Sequence, residues 1–419
     1  MKKIIGLFII IVLLPVSGLK AEEVLSWEDC LKETTKNHPD LIAATEVIEK
    51  NFAAKNITAS QEYPQVNSSL SGSTTKSSGG RTVKDYSASL TASQLLFDAK
   101  KTINDVKAAQ ENIKASQQSY RFTSSEVRQR LRAAFINLLK AQDLIRVTAD
   151  ILKMRRSDYE LITLRYESGY EHRGALLTAE ANLAQANFQV AQAKRDAELA
   201  QWQLTKELGR KEFIPMSVKG DFIVIDMAKE KPDFEMLAKN NPSLQQIIAQ
   251  KNAAQFGIKS TYANFFPTLT AQAGANKSGS RWFPQDSQWD LGLSASLPIF
   301  EGGLRSAQIA QAEALFKQFQ ANERSTRDGI IVALAQAWTS LQDAVETVDV
   351  QSKQLAASQE RATIAETEYS TGFITYDNWT IIQDNLVQAK TNFLNAQANA
   401  LLAEANWRQA KGEVIENAL

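Results

Sequence analysis

Two long stretches of the chain carry the apolar pattern of long helices. In the first, the apolar stripe recurs at steps of three and four residues, as expected for a coiled coil. The stripe consists of Leu131, Ala134, Leu138, Ala141, Ile145, Thr148 and Leu152. No proline occurs between Pro64 and Pro215 or after Pro298. The pattern therefore predicts helices from Asp98 to Arg165 and from Glu301 to Glu368, each 68 residues and roughly 100 Å long.

Each long helix is followed by a glycine turn and a second apolar stripe. After Gly169 the stripe is Leu176, Ala179, Leu183, Ala186, Val190, Ala193, Ala197, Ala200 and Leu204. After Gly372 it is Ile382, Leu386, Ala389, Phe393, Ala396, Ala400, Ala403 and Trp407. Small alanines allow close packing, and a period near 3.5 keeps the stripe on one partner, so each glycine should mark the tip of an antiparallel coiled-coil hairpin. The returning helices are about half as long, and in the second half a helix predicted from Asn241 to Ala263 should stack end to end on the returning one.

Alternating apolar and polar residues predict two β-hairpins, at about residues 64–97 and 267–300. One face of the second would carry Leu269, Ala271, Ala273, Ala275, Trp289, Leu291, Leu293, Ala295 and Leu297. In the first, Tyr86, Ala88, Leu90 and Ala92 alternate with serine and threonine, after a weaker strand near Val66 to Thr74. This alternation fits a small soluble sheet with one buried face. It also fits a transmembrane barrel with an aromatic girdle formed by Trp282, Phe283 and Trp289.

The two halves of the chain repeat each other at a constant offset of 203 residues. The equivalent pairs include Pro39 and Pro242, Pro64 and Pro267, Phe97 and Phe300, Gly169 and Gly372, and Gly209 and Gly412. Because the matches gather at turns and element ends, two copies of one unit explain them. We predict repeat 1 at residues 22–209, a linker or equatorial segment at 210–233, repeat 2 at 234–412, and a C-terminal tail at 413–419.

Four strands per chain cannot close a membrane barrel, and an open edge in lipid leaves backbone groups without hydrogen bonds. Several chains must share one barrel, and physical reasoning leaves two, three or four chains open. The predicted fold class is an internally duplicated α+β membrane protein. Its long antiparallel coiled-coil helices would form an oligomeric α-barrel, and four transmembrane β-strands per chain would contribute to a shared β-barrel.

The first 21 residues have the order of a secretory signal. Lys2 and Lys3 precede an apolar run from Ile4 to Val16, and small residues follow, with cleavage expected after Ala21 or Gly18. The run is shorter than the roughly 20 apolar residues of a spanning helix. We therefore predict a signal peptide at residues 1–21 and an exported protein. No small-residue lipobox precedes Cys30, so we interpret it as an ordinary helix residue rather than a lipid attachment site.

Composition and charge narrow the possible functions. The 47 Lys and Arg residues balance the 47 Asp and Glu residues, so no net field attracts nucleic acid. One cysteine and two histidines leave little for a disulfide, a zinc cluster or imidazole chemistry. We predict no catalytic, cofactor or metal site. We interpret His38, beside Pro39, as a residue at a helix start, and His172 as part of an exposed polar tip.

Several short motifs, in order and doubled, resemble those of the TolC-like outer-membrane efflux proteins. They are Leu25-Ser26-Trp27-Glu28 with Asn37-His38-Pro39-Asp40-Leu41, its repeat Asn240-Asn241-Pro242-Ser243-Leu244, Tyr63-Pro64, Phe266-Pro267, Pro298-Ile299-Phe300-Glu301-Gly302-Gly303, Tyr166-Glu167-Ser168-Gly169 and Tyr369-Ser370-Thr371-Gly372. The resemblance covers essentially the whole mature chain. It implies a homotrimer with a shared 12-stranded barrel in the outer membrane of a Gram-negative bacterium and a helical barrel in the periplasm.

The resemblance also implies a function, partners and sites. The chain would be the exit duct of a tripartite efflux or type I secretion system, with a periplasmic adaptor, an inner-membrane pump and no enzyme activity. Tyr166, Gly169, Tyr369 and Gly372 would lie on the adaptor-facing tip. Acidic residues often line the gate of this family, but Ala175, Asn378 and Ile381 occupy the usual places here. Asp377 and Asn378 are the candidate gate residues.

Two other classes of function stay open at this point. A structural or adhesive coiled-coil protein of the envelope is compatible with the heptads, but it does not need two amphipathic hairpins at a fixed offset. An exported enzyme would need paired carboxylates or a Ser-His pair, and no such pattern stands out. Ion conductance and solubility only in detergent would separate a channel from both classes.

Overall fold

The computed structural model describes residues 23–224 and 231–418. The predicted signal peptide at residues 1–21 and part of the predicted linker lie outside the described residues. The described helices are α1 (Trp27–Asn37), α2 (Pro39–Ala59), α3 (Lys101–Glu167), α4 (Arg173–Glu207), α5 (Phe234–Lys239), α6 (Pro242–Ala263), α7 (Leu304–Thr371) and α8 (Tyr376–Ala410). The described strands are β1 (Glu23–Leu25), β2 (Gln65–Lys76), β3 (Thr82–Phe97), β4 (Met216–Val218), β5 (Thr268–Gly279) and β6 (Asp286–Ser296).

The two predicted long helices are confirmed as α3, with 67 residues, and α7, with 68 residues. Both begin directly after a residue with positive φ, Lys100 (70°) in the first copy and Gly303 (86°) at the equivalent place in the second. At the start of α3 the Asp98 carboxylate accepts a hydrogen bond from the Thr102 backbone N–H at 2.7 Å. A left-handed residue therefore turns the chain from each strand into its long helix.

The shorter helices stack end to end beside the long ones. At the junction of α4 with α2, Nε2 of His38, the residue that precedes α2, lies 3.5 Å from Oε2 of Glu207, the last residue of α4. At the junction of α8 with α6, Asn241 Nδ2 donates to the Ala410 carbonyl at 3.1 Å. The end-to-end stacking predicted for the second copy is confirmed, and the first copy repeats it. Side by side, the helices run in the order α2/α4, α3, α6/α8, α7.

The four long strands form one antiparallel sheet in the order β2-β3-β5-β6. Both predicted hairpins are confirmed, and β3 pairs with β5 to join the two copies. Within the described chain, β2 and β6 pair on one side only, so the sheet has two open edges. No described helix combines the length and apolarity that crossing a membrane requires.

The main core lies near the middle of the molecule, where α1 and the end of α4 cover α3. Fully buried side chains here include Leu31, Leu131, Leu138, Leu204, Leu208 and Met216. Cys30 is buried in the same core, and burial raises the pKa of its thiol to about 12. Its interpretation as an ordinary helix residue therefore agrees with the structure. A two-stranded parallel sheet of β1 and β4 borders this core, and the sequence pattern did not predict it.

Candidate functional site

The tips of the two helical hairpins are built on matching glycine turns. Gly169 has φ of 77° and Gly372 has φ of 84°, and a Cβ at either position would meet no atom within 4 Å. The next residue closes each turn, because Tyr170 N–H donates to the Arg165 carbonyl and Phe373 N–H to the Glu368 carbonyl, both at 2.8 Å. The glycines are therefore needed for backbone conformation rather than for space.

The helices that leave the tips start at equivalent capping residues. His172 Nδ1 accepts a hydrogen bond from Ala175 N–H at 3.1 Å, and Thr375 Oγ1 accepts one from Asn378 N–H at 3.4 Å. A side-chain acceptor satisfies one of the free N–H groups at a helix start. His172 is exposed, as predicted, but its capping role was not.

Tyr369 lies at the centre of a contact between the two tips that we call the tip clasp (Tyr369, Trp379, Arg165 and Glu171). Its ring stacks on Trp379 with centroids 4.6 Å apart, and the Arg165 guanidinium lies 4.6 Å from the same ring. Its hydroxyl donates to Glu171 Oε1 at 2.7 Å. Burial and this hydrogen bond raise the pKa of Tyr369. The clasp joins the end of α7 to the first hairpin.

A second polar contact lies farther from the tip and joins α3 to α8. The buried Arg155 guanidinium bonds to Asp384 on α8 and lies 3.7 Å from Asp158 Oδ2 on its own helix. Burial raises the pKa of Asp158 to about 6, with a further rise from nearby Glu366 and an opposing effect of Arg155. Burial therefore keeps this carboxyl protonated to a higher pH than a solvent-exposed aspartate.

The predicted tip residues do not all lie on the surface. Tyr166, Gly169 and Gly372 are exposed, whereas Tyr369 is only 2 % exposed and lies beneath the tip in the clasp. Sequence reasoning missed the most exposed aromatic residues of the tips, Tyr170 (78 %) and Phe373 (84 %). The 203-residue offset would have found them, because they are equivalent positions and each follows a tip glycine.

The candidate gate residues Asp377 and Asn378 lie on the exposed side of the first turn of α8. Their neighbours Tyr376 and Trp379 are buried on the opposite side, and Ile381 extends the exposed side. An acid in the first turn also interacts favourably with the helix N-terminus, so both the gating and the structural interpretation of Asp377 remain compatible with its position.

The two open edges of the sheet belong to the strands that adjoin α2 and α7 along the chain. The β2 edge continues from α2, which stacks on α4, whereas β6 leads into α7. Exposed apolar residues occur on α4 and α7, among them Phe188 and Leu199 on α4 and Val350 and Ile364 on α7. Each edge therefore needs a neighbour at the level of the sheet and at the level of the helices.

An amphipathic sheet with open edges, continued by two long coiled-coil hairpins, defines one protomer of an oligomeric membrane channel with a helical conduit. Comparison with known proteins gives the same class. The model of the outer membrane efflux protein family matches residues 30–210 and 234–413, and the chain belongs to this family. The expected TolC-like family, fold class and outer-membrane location are therefore confirmed.

Individual relatives have low sequence identity to this chain, and the alignments cover different shares of it. The "Probable outer membrane lipoprotein SilC" of Salmonella typhimurium is 25 % identical over 349 residues, 78 % of this chain and 71 % of that protein. The alkaline protease secretion protein AprF of Pseudomonas aeruginosa is 27 % identical over 203 residues, 46 % of this chain and 42 % of that protein. A crystal structure of CusC has the same fold, with a TM-score of 0.83, 19 % identity, and coverage of 92 % of this chain and 91 % of that one.

Proposed function

We propose that this protein is the outer-membrane exit duct of a tripartite efflux or type I secretion system and works as a homotrimer. The observation that carries this proposal is the pair of open edges, which makes a single chain incomplete in lipid. Three copies give twelve strands, enough for a closed barrel with a water-filled lumen. We propose no enzyme activity, because the features described above indicate only assembly of the channel and passage of cargo through it.

The edges also suggest how the copies meet. The α2/α4 side of one copy would pack on the α7 side of the next, while β2 of one pairs with β6 of the other. Such a head-to-tail contact closes into a ring when the rotation is correct. We propose the same division of the chain as above. It has repeats at residues 22–209 and 234–412, a linker at 210–233 and a tail at 413–419.

The tips are proposed to contact a periplasmic adaptor, which connects the duct to an inner-membrane pump. Tyr166, Gly169 and Gly372 would form this surface together with Tyr170 and Phe373, whose rings are exposed beside the tip glycines. Tyr369 would act from beneath by holding the tip in shape through the clasp. Asp377 and Asn378 are proposed as gate residues because they lie on the exposed side of α8.

The cargo is proposed only as a class. BepC of Brucella suis is named an outer membrane efflux protein and AprF an alkaline protease secretion protein, so efflux and protein secretion are both represented among the relatives. One face of the sheet carries Ser69, Ser71, Ser87, Ser89 and Gln272, which would give a wet lumen with little preference. We expect the pump and adaptor to supply most of the selectivity.

The experiment is single-channel conductance of the detergent-purified protein in a planar bilayer, with the oligomer mass measured on the same sample. A trimer with small openings supports the exit duct. A soluble monomer without conductance would contradict it and would leave a structural or adhesive coiled-coil envelope protein as the better description.

A further inference from the structure

A pocket of about 330 Å³ lies between α3 and α8, beside the start of α1. Its volume is at the lower end of the range for small-molecule sites. Because α3 and α8 are middle helices of the row, the pocket lies away from the α2/α4 and α7 sides through which copies are proposed to meet, and it stays accessible in the ring. Its lining includes Trp27, Arg128, Arg132, Glu404, Arg408 and Glu413.

Three arginines and two glutamates in this lining give it a net positive charge. Glu404 Oε1 accepts two hydrogen bonds from Arg408, at 3.0 Å from Nε and 2.7 Å from Nη2. Glu413 Oε2 accepts one from Arg128 Nη1 at 2.8 Å. Arg132 forms no hydrogen bond or ion pair with a described residue, so one arginine of the pocket has no carboxylate of its own.

An aromatic ring holds Arg132 at the pocket wall. The Arg132 guanidinium lies 4.8 Å from the centroid of the Trp27 ring. Burial lowers the pKa of Arg132, Glu404 opposes this effect, and Arg408 and Arg128 add to it. A cation over an aromatic face keeps its N–H donors available for an acceptor. The pocket therefore presents a positioned guanidinium that needs one negative charge.

Two polar atoms of the pocket lining also lack a hydrogen-bond partner, Glu404 Oε2 and Arg128 Nε. Their side chains belong to residues that are only 4 % and 8 % exposed. Buried polar groups are nearly always paired, so an orphaned acceptor in a pocket wall indicates a place for a donor. The terminal torsion of a glutamate is soft, and a small rotation turns Oε2 toward the pocket. The site therefore offers one acceptor beside its surplus donors.

These features select a carboxylate with an N–H group close to it. The planar fork of an arginine fits a carboxylate through two parallel hydrogen bonds. A phosphate monoester carries about two negative charges at neutral pH, and its second charge would face Glu404 and Glu413. A free amino acid is neutral overall and leaves the charge of Arg132 unmatched. The C-terminus of a peptide has one negative charge and an amide N–H on the adjacent carbon.

We propose that the pocket between α1, α3 and α8 binds the C-terminal end of a peptide. The carboxylate lies on Arg132, the last amide N–H donates to Glu404, and the Trp27 ring packs against the last side chain. A peptide bound in this way links α1 to α8 at the level of the main core.

The test is isothermal titration calorimetry of the full-length mature protein in neutral detergent, with acetyl-alanyl-alanine as the probe. Its C-terminal amide lacks the negative charge and should bind about ten-fold more weakly or worse. Acetyl-alanyl-lactate, in which an ester oxygen replaces the last N–H, should also bind about ten-fold more weakly, because Glu404 then faces an acceptor.

Three results with the unaltered protein would overturn the proposal. Equal binding of the acid and its amide would mean that Arg132 recognises no carboxylate. Tighter binding of L-alanine or inorganic phosphate would identify a different ligand. No heat from acetyl-alanyl-alanine at millimolar concentration would mean that water alone satisfies Glu404.

Variants locate the binding on this pocket. Arg132→Gln should weaken binding of acetyl-alanyl-alanine by about ten-fold or more and leave binding of its amide unchanged, and Arg132→Lys should recover part of the loss. Arg156→Gln removes the same charge from an exposed position on α3 and should bind as the unaltered protein does. Unchanged binding in Arg132→Gln would also overturn the proposal. Oligomer mass and conductance, measured on each variant, should not change, which separates this site from failure of the duct.

Discussion

At the scale of single residues, equivalent positions of the two repeats have different environments at the tips. Tyr166 is exposed, but Tyr369, 203 residues later, is buried in the clasp. Ala175 is buried, but its equivalent Asn378 is exposed. The two hairpins therefore contact each other through different faces. Because Asn378 is exposed where Ala175 is buried, a gate built on exposed residues would use the second hairpin, α7/α8.

Asp158 makes the contact between these hairpins sensitive to pH. Its folded pKa of about 6 lies above its ordinary value of 3.8, so the stability it contributes is present below about pH 4 and lost as the pH rises to about 6. We expect Asp158→Asn to be more stable than the unaltered protein above pH 6, by about 1 to 3 kcal/mol. The midpoint of thermal unfolding, followed by the helical circular dichroism signal between pH 4 and 7.5, measures this.

The matched control for this prediction is Glu160→Gln, an exposed carboxylate two residues farther along α3. It should leave the pH dependence of the midpoint as it is. An Asp158→Asn protein whose midpoint still falls between pH 4 and 6 would mean that another group titrates at the contact.

Asp377 is the residue-scale prediction for the gate. If three copies surround a constriction, Asp377→Asn removes three negative charges and should reduce cation selectivity in a bilayer several-fold. Asp343→Asn, halfway along α7, supplies a control with the same chemistry away from the tip. Unchanged reversal potentials for Asp377→Asn would place the constriction elsewhere in the duct.

At this scale the sequence predicted which backbone conformations are required better than it predicted which side chains are buried. The tip glycines and the helix start at His38 were recognisable, and His38 Nδ1 does accept a hydrogen bond from Asp40 N–H at 3.1 Å. The burial of Tyr369 was not recognisable, because the two repeats carry nearly the same local pattern there. Which copy turns its tyrosine inward depends on packing between hairpins, and periodicity in one segment contains no such information.

At the scale of elements, one glycine in each repeat lies at the point where two helices stack end to end. Gly209 (φ 74°) and Gly412 (φ 78°) end α4 and α8 in the left-handed conformation. An added Cβ would lie 2.5 Å from the Asn37 carbonyl oxygen in the first case and 2.5 Å from Pro242 Cδ in the second. The chain therefore approaches the next helix so closely at both junctions that only glycine fits.

Substitution at these junctions should be costly. A positive φ alone costs a residue with a Cβ about 1 to 2 kcal/mol. Gly209→Ala is expected to destabilise the protein by more than this, because the added Cβ also clashes with backbone atoms. Gly329→Ala, at an exposed position inside α7 with no atom within 4 Å of the added Cβ, should instead stabilise by about 0.5 to 1 kcal/mol. Chemical denaturation in detergent measures both, and a destabilised Gly329→Ala would show that this face of α7 is covered in the trimer.

The existence of the long helices and of the β-hairpins was predictable because each contains many periods of one hydrophobic pattern. The short β1 and β4 strands were not, since three residues hold too little alternation to distinguish a strand from a loop. Their pairing joins residues about 190 positions apart, from Glu23 with Met216 to Leu25 with Val218. Only the packing of the main core brings these segments together.

At the scale of the whole molecule, the open edges determine how copies can associate. Both the sheet and the helical layer have one edge of each kind, so the contact between copies is between unlike surfaces. A dimer with its two-fold axis perpendicular to the strands would pair one edge with its own copy and leave the other edge of both chains open. A closed ring uses every edge, and twelve strands from three chains satisfy the backbone hydrogen bonds that lipid leaves unmet.

We therefore expect a charge on the apolar side of α7 that meets the next copy to prevent assembly, and the same charge on another side of α7 to leave assembly intact. Val350 is exposed and apolar on α7. Because Ser352 lies about 200° farther around the same helix, it points away from the side that Val350 faces. Val350→Asp should therefore shift the protein from trimer to monomer by burying an unpaired carboxylate, whereas Ser352→Asp should remain trimeric, as judged by native mass spectrometry in detergent. Trimers of equal mass from both variants would mean that α7 meets its neighbour through another face, and the two open strand edges would then have to be joined by a different rotation of the copies.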